Sequence, residues 1–230
     1  MIRKGLTIPE LRWPSTPEFS LLADAWNKDA SIILLEYVWQ AYDLLQKEIL
    51  TLIDCDGADE ELERSITQLL EPLIHKTMTG DEPFYVQHGA YENETRQPPP
   101  AQPPEYDIAF VLTANPRIMW PLEAKVLRTA GRIAAYVKDV LNEFLTCRYA
   151  PFSKEAGMLG YLFSGDPDQA FKNIARELKC KLYNHAEFTG RPHMTSDHNR
   201  NVRKNKPYPR EFRCHHLILE IKSNTCARNK

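Results

Sequence analysis

Two apolar stretches decide the fold: residues 106–112, YDIAFVL, and residues 118–127, IMWPLEAKVL. Both are rich in the branched and aromatic side chains that suit strands. Asn115-Pro116-Arg117 lies between them and reads as a turn, so the pair is expected to be a hairpin. Pro121 suggests a bulge or an edge position in the second strand. Strand side chains alternate between faces, so Glu123 and Lys125 share one face, and Asp107 can meet them across the pair. Charged residues inside such apolar strands are costly unless they are employed.

The pattern continues on both sides. Downstream, Ile133, Val137, Val140, Leu141, Phe144 and Leu145 recur at helical spacing. Residues 158–163 (MLGYLF) read as a strand, and Asp166-Pro167 as the capped start of a helix running through Phe171, Ile174 and Leu178. Residues 191–210 look like a polar, basic connection, and 216–221 (HLILEI) like the last strand. Upstream, residues 84–86 form a short strand candidate and residues 59–78 a helix, bent at Pro72. Residues 19–52 read mostly as one helix, and residues 1–18 as irregular, broken at Pro9, Pro14 and Pro17. The proline-rich run 97–104 reads as a stiff exposed connection between strands. The expected architecture is α/β with a mixed central sheet, divided into an N-terminal helical extension (1–58) and a main domain (59–230) that ends in a basic segment.

Composition narrows the possible functions. The 230 residues are 43% hydrophobic and 26% charged, enough to bury a core without disulfides. No apolar run approaches the roughly 20 residues of a membrane span, and no secretory signal pattern is visible at the start. The five cysteines are scattered with no Cys-x-x-Cys pair, which excludes a zinc ribbon and reads as reduced thiols in a cytoplasmic protein. The net charge of -2 hides a gradient: residues 1–105 carry 19 acids and 8 bases, residues 106–190 carry 9 and 11, and residues 191–230 carry 3 and 10. The basic tail, with Arg200, Arg203 and Lys204 in it, is an expected footprint for a polyanion. Arg128, Arg132 and Lys138, after Lys125, are further candidates for phosphate contacts.

Two carboxylates and a lysine converging on one sheet suit a hard cation such as Mg²⁺, which accepts carboxylate and phosphate oxygens. Two other Glu-x-Lys triplets are weaker. Glu177-Leu178-Lys179 lies in a helical pattern, where i and i+2 diverge, and Glu220-Ile221-Lys222 lacks an acidic strand before it. Histidines 193, 198, 215 and 216 fall near Cys214, but they lack the spacing of a zinc finger.

Asp107 followed by Glu123-Ala124-Lys125 resembles the PD-(D/E)xK signature of restriction-endonuclease-like nucleases, with Tyr106 where the motif's name has proline. The expected αβββαβ order over residues 59–165 is similar to that superfamily's core. The resemblance implies a metal-dependent endonuclease acting on DNA, with Asp107 and Glu123 as ligands of Mg²⁺, with Mn²⁺ as a substitute ion, and Lys125 as the catalytic lysine. It also implies an acidic residue on the first core helix, for which Glu63 is favoured over Glu71. By family analogy, it implies a role in prokaryotic restriction or anti-phage defence, with an ATPase or recognition subunit as partner. The alternatives are a nuclease-like fold that binds nucleic acid without cutting it, a protein-interaction subunit, and an HNH-type hydrolase using His198 and His215.

Overall fold

The computed structural model of the chain describes residues 11–12, 16–48, 56–92, 94–95 and 103–221. A seven-stranded mixed sheet forms its centre: β1 (Phe84–Tyr91), β2 (Glu105–Leu112), β3 (Met119–Leu127), β4 (Glu155–Leu162), β5 (Tyr183–Asn184), β6 (His193–Asn199) and β7 (Glu211–Glu220). The strand order is β1-β2-β3-β4-β7-β6-β5. The first three strands form an antiparallel meander. β4 lies parallel to β3, and β7 parallel to β4. The two parallel pairs need crossovers, and helices supply them.

Helices α1 (Pro17–Asp29), α2 (Ser31–Glu48) and α3 (Asp59–Thr77) cover one face of the sheet. Leu34, Val38 and Leu45 of α2, with Ile66 and Leu70 of α3, share one core cluster with Phe110, Trp120, Leu122, Leu159 and Leu217 of the sheet. The opposite face is covered by α4 (Ala134–Asp139), which widens into a π turn over Val140–Phe144, and by α5 (Pro167–Leu178). On that side Tyr136, Phe144, Phe171 and Ile174 pack on Ala109, Val111, Met158 and Ile218. The sheet is therefore the middle of three layers, buried on both faces as parallel strands require.

The N-terminal helices are a layer of this same core. Tyr42 donates its hydroxyl hydrogen to the Glu220 carbonyl at 2.7 Å, and Arg191 reaches both carboxylate oxygens of Asp43, at 2.7 and 2.6 Å.

Several elements differ from the sequence reading. Pro17 starts a helix: the Thr16 hydroxyl accepts from the Phe19 N–H, and a proline at the first helical position forfeits no bond. The stretch 19–48 is two helices divided at Ala30, and residues 49–52 lie outside the described residues. β1 extends to Tyr91. The basic connection after Arg191 contains a strand, β6, and the two-residue β5 precedes it. Of the proline-rich run, residues 97–102 lie outside the described residues. No helix among the described residues is long and apolar enough to cross a membrane.

Candidate active site

The β2–β3 ladder runs from Val111↔Met119 to Ile108↔Leu122 and then stops. The β1–β2 ladder has a gap at the same level. Ile108 and Tyr106 are paired with β1, while Asp107 is not, and Gly89 beside the gap takes φ +66°, a conformation that favours glycine. Main-chain donors that a continuing ladder would have used are therefore open to side chains. Asp107 Oδ2 accepts the Ala124 N–H at 2.7 Å, and Glu63, from α3, accepts a main-chain hydrogen bond from Val126. The fork between the strands is what brings a helix residue and a strand residue to one spot.

Lys125 fills the centre of that spot. Its Nζ lies 3.0 Å from Glu63 Oε1, 3.0 Å from Glu123 Oε1 and 3.2 Å from Asp139 Oδ2, and donates to the Ala124 carbonyl at 2.6 Å. Asp107 adds its charge to the same group. One ammonium thus faces four carboxylates, with its side chain only 16% exposed. Burial works against the lysine's charge, but Glu123, Glu63, Asp107 and Asp139 together hold its pKa well above the ordinary lysine value. The acids' pKa values rise as well, which favours their neutral forms. Burial lifts Glu63 to about 7, against the pull of Lys125. Burial likewise raises Asp107, and it raises Glu123 strongly, with Asp107 adding to the effect.

One atom in the cluster lacks a partner. Glu123 Oε2 is buried and accepts no hydrogen bond from the described residues. A buried acceptor with no donor costs about 1–3 kcal/mol, more when charged. The surrounding donor set is all oxygen, which fits Mg²⁺ or Mn²⁺ better than a softer metal. The cluster borders a surface pocket lined by Glu60, Glu63, Arg64, His88 and Asp107.

Asp107, Glu123, Lys125 and Glu63, each expected from the sequence, are thus brought together. Asp139 was missed. It follows Lys138 on α4, where the helical pattern marks only the apolar residues, and its approach to Lys125 depends on how α4 docks.

The expected phosphate contacts fare unevenly. Arg200 is a correction: it is 4% exposed and donates to the carbonyls of Ala150, Ser153 and Pro209, so it is an internal brace. Arg128 is bound to Asp59 at 2.6 Å and to the Gly57 carbonyl, and it precedes α4 instead of lying on it. Arg132 also precedes α4 and is exposed. Arg203 and Lys204 are exposed in an irregular segment. Elsewhere in the basic tail Arg191, Lys206 and Arg213 pair with Asp43, Glu94 and Asp197. Four of the tail's bases therefore serve the fold, and the other described bases of the tail, Arg203, Lys204 and Arg210, are exposed.

The other Glu-x-Lys triplets form no second cluster among the described residues: Lys179 caps α5 in a left-handed conformation, and Lys222 lies outside them. His198 and His215 do not form the pair an HNH-type site would need. His198 bonds to the buried Ser196 hydroxyl at 2.6 Å, whereas His215 turns to His193 and Glu155. No family model, curated protein or solved structure matches the chain.

Proposed function

We propose that the chain is a Mg²⁺-dependent endonuclease that hydrolyses phosphodiester bonds in DNA, built on a restriction-endonuclease-like core. The element order supports the core assignment. α3, the β1-β2-β3 meander, α4, and β4 parallel to β3 follow the αβββαβ order expected from the sequence. The observation that carries the function is the orphaned Glu123 Oε2, buried beside Asp107 and Glu63. An acid cluster this dense and this desolvated calls for a cation beyond the single lysine it contains.

Asp107, Glu123 and Glu63 are the residues that would hold Mg²⁺, which when bound polarises a phosphodiester and makes a water molecule more acidic. The roles of the chain's own groups follow from their environments. Lys125 keeps its proton throughout the working pH range, so it offers charge to a developing phosphorane oxygen and cannot act as a base. Asp107 is fixed in position by the Ala124 N–H. Glu63, raised to about 7 by burial when no metal is bound, would give up its proton on holding the ion. Asp139 restrains the lysine from the α4 side and acts as a positioning residue.

The test is conversion of supercoiled plasmid by purified protein in Mg²⁺ or Mn²⁺, with EDTA as the control, and with RNA in a parallel arm. Cleavage that EDTA stops, and that Glu123→Gln and Lys125→Met abolish, is the expected result. Binding of DNA without cleavage in either metal would replace this reading with that of a non-cleaving nucleic-acid-binding protein.

A further inference from the structure

A second group of metal-ligating side chains lies outside the acid cluster. His185 follows β5, His193 opens β6 and His215 lies on β7. Thr195 pairs with His215 and His193 with Leu217, so the two strand histidines are diagonal neighbours across the β6–β7 pair. One ring nitrogen from each of the three histidines lies within 4.8 Å of the other two.

We propose that His185, His193 and His215 form a binding site for a divalent transition metal of the zinc class, which ties the residue after β5 to the edge of the sheet. The distances carry the argument. Zinc binds imidazole nitrogen at about 2.0–2.1 Å in tetrahedral geometry, so two ligands on one ion stand about 3.3 Å apart. His193 Nε2 and His215 Nδ1 are 3.2 Å apart. The other nitrogen of His215 lies 3.2 Å from Glu155 Oε2. A carboxylate accepting from the far side of a ligand imidazole is the usual outer support of a metal-bound histidine, since it fixes the tautomer and raises the ligand's basicity. Trp39, Trp120 and Phe188 pack around His193 and His215, which keeps water from the buried side, while the half-buried His185 gives an approach from solvent. A donor set of imidazoles without thiolate suits zinc and its neighbours and does not suit Mg²⁺.

Metal binding exchanges three hydrogen bonds for coordinate bonds: the one between His193 Nε2 and His215 Nδ1 at 3.2 Å, and those donated by Trp39 and Glu187. The Trp39 indole N–H donates to His193 Nδ1 at 3.3 Å, and the Glu187 N–H donates to His185 Nδ1 at 3.3 Å. Both are at the long end of the range for such bonds. Coordination through His193 Nε2 shifts that ring's proton to Nδ1, so the Trp39 contact opens. The balance is simple: three neutral imidazoles give three lone pairs, and no proton need leave the site.

The experiment uses the untagged full chain, stripped with chelator, dialysed and confirmed as folded by circular dichroism. Zinc content is measured after equilibration, and the visible spectrum after Co²⁺ substitution. The expected result is about one metal ion per chain, intense tetrahedral Co²⁺ bands, and a change in tryptophan fluorescence on zinc addition. His185→Ala should weaken zinc binding at least ~10-fold, and so should His215→Asn. His185 is half-buried and sits outside the strands, so its variant should fold even if the His215 variant does not. Glu123→Gln should keep its zinc, which separates this site from the acid cluster. Folded protein that takes up no zinc, or zinc uptake unchanged by His185→Ala, would overturn the proposal. Neither result depends on whether the protein cleaves DNA.

Discussion

Replacing Lys125 with methionine removes the ammonium that faces Glu63, Asp107, Glu123 and Asp139, while keeping most of the side chain's bulk. The buried acids can respond by binding about one more proton. Keeping a carboxyl protonated in the fold costs about 1.36 kcal/mol for each pH unit above its unfolded value of 4.5. The added cost is therefore about 5 kcal/mol at pH ~8 and about 0.7 kcal/mol at pH ~5. Release of the lysine from its own buried position returns part of it, leaving about 3–4 kcal/mol at pH ~8. The sign follows from linkage. These acids have folded pKa values raised above the unfolded ones, as Glu63 shows at about 7, so the fold holds more protons than the unfolded chain and stability falls as pH rises. Urea unfolding of wild type and Lys125→Met in EDTA, at several pH values from ~5 to ~8, measures the difference directly. It should widen by about 1.4 kcal/mol per pH unit once the extra proton is bound. A stability difference equal at pH ~5 and pH ~8 would refute the charge-compensation argument.

Mg²⁺ should bind more tightly as pH rises toward and through about 7, because Glu63 must lose its proton to act as a ligand; calorimetric titration at pH ~6 and ~8 would check the direction. Glu123→Gln and Asp107→Asn should each lower the cleavage rate by at least about 100-fold without unfolding the protein, as read from initial plasmid-nicking rates and thermal melts. Arg200→Ala should destabilise the fold by about 3 kcal/mol, since it strips donors from three carbonyls, those of Ala150 and Ser153 buried. In Arg203→Ala with Lys204→Ala the stability should change by less than about 0.5 kcal/mol per site, while the salt slope of DNA binding flattens by up to about two units.

The acid site was legible because strand alternation is strict. Once YDIAFVL and IMWPLEAKVL were read as paired strands, the faces of Asp107, Glu123 and Lys125 followed. Glu63 could be named only as a candidate, because whether a helix residue reaches a sheet depends on the fork between β2 and β3. The histidine cluster was hidden for a related reason. β6 reads HMTSDHN, with almost no apolar residues to mark a period, so it looked like a loop. Its burial comes instead from hydrogen-bonded polar side chains, such as Ser196 between His198 and His216. Arg200 misled in the opposite direction. Clustered charge in sequence suggests a surface, but an arginine enclosed by carbonyls can brace the interior.

The fork in the ladder also constrains what mutation can do to this chain. Asp107 and Glu63 each occupy a main-chain donor that a neighbouring strand would otherwise have taken. Exchanging Asp107 for alanine or valine would do more than discharge the site, because it would leave the Ala124 N–H stranded in the interior. Asparagine keeps an oxygen for that donor and loses only the charge. Inactive descendants of such a protein would therefore drift toward amides before they drift toward aliphatics. Acidic residues at this place in a related sequence would testify to the splayed strands as well as to any reaction carried out between them.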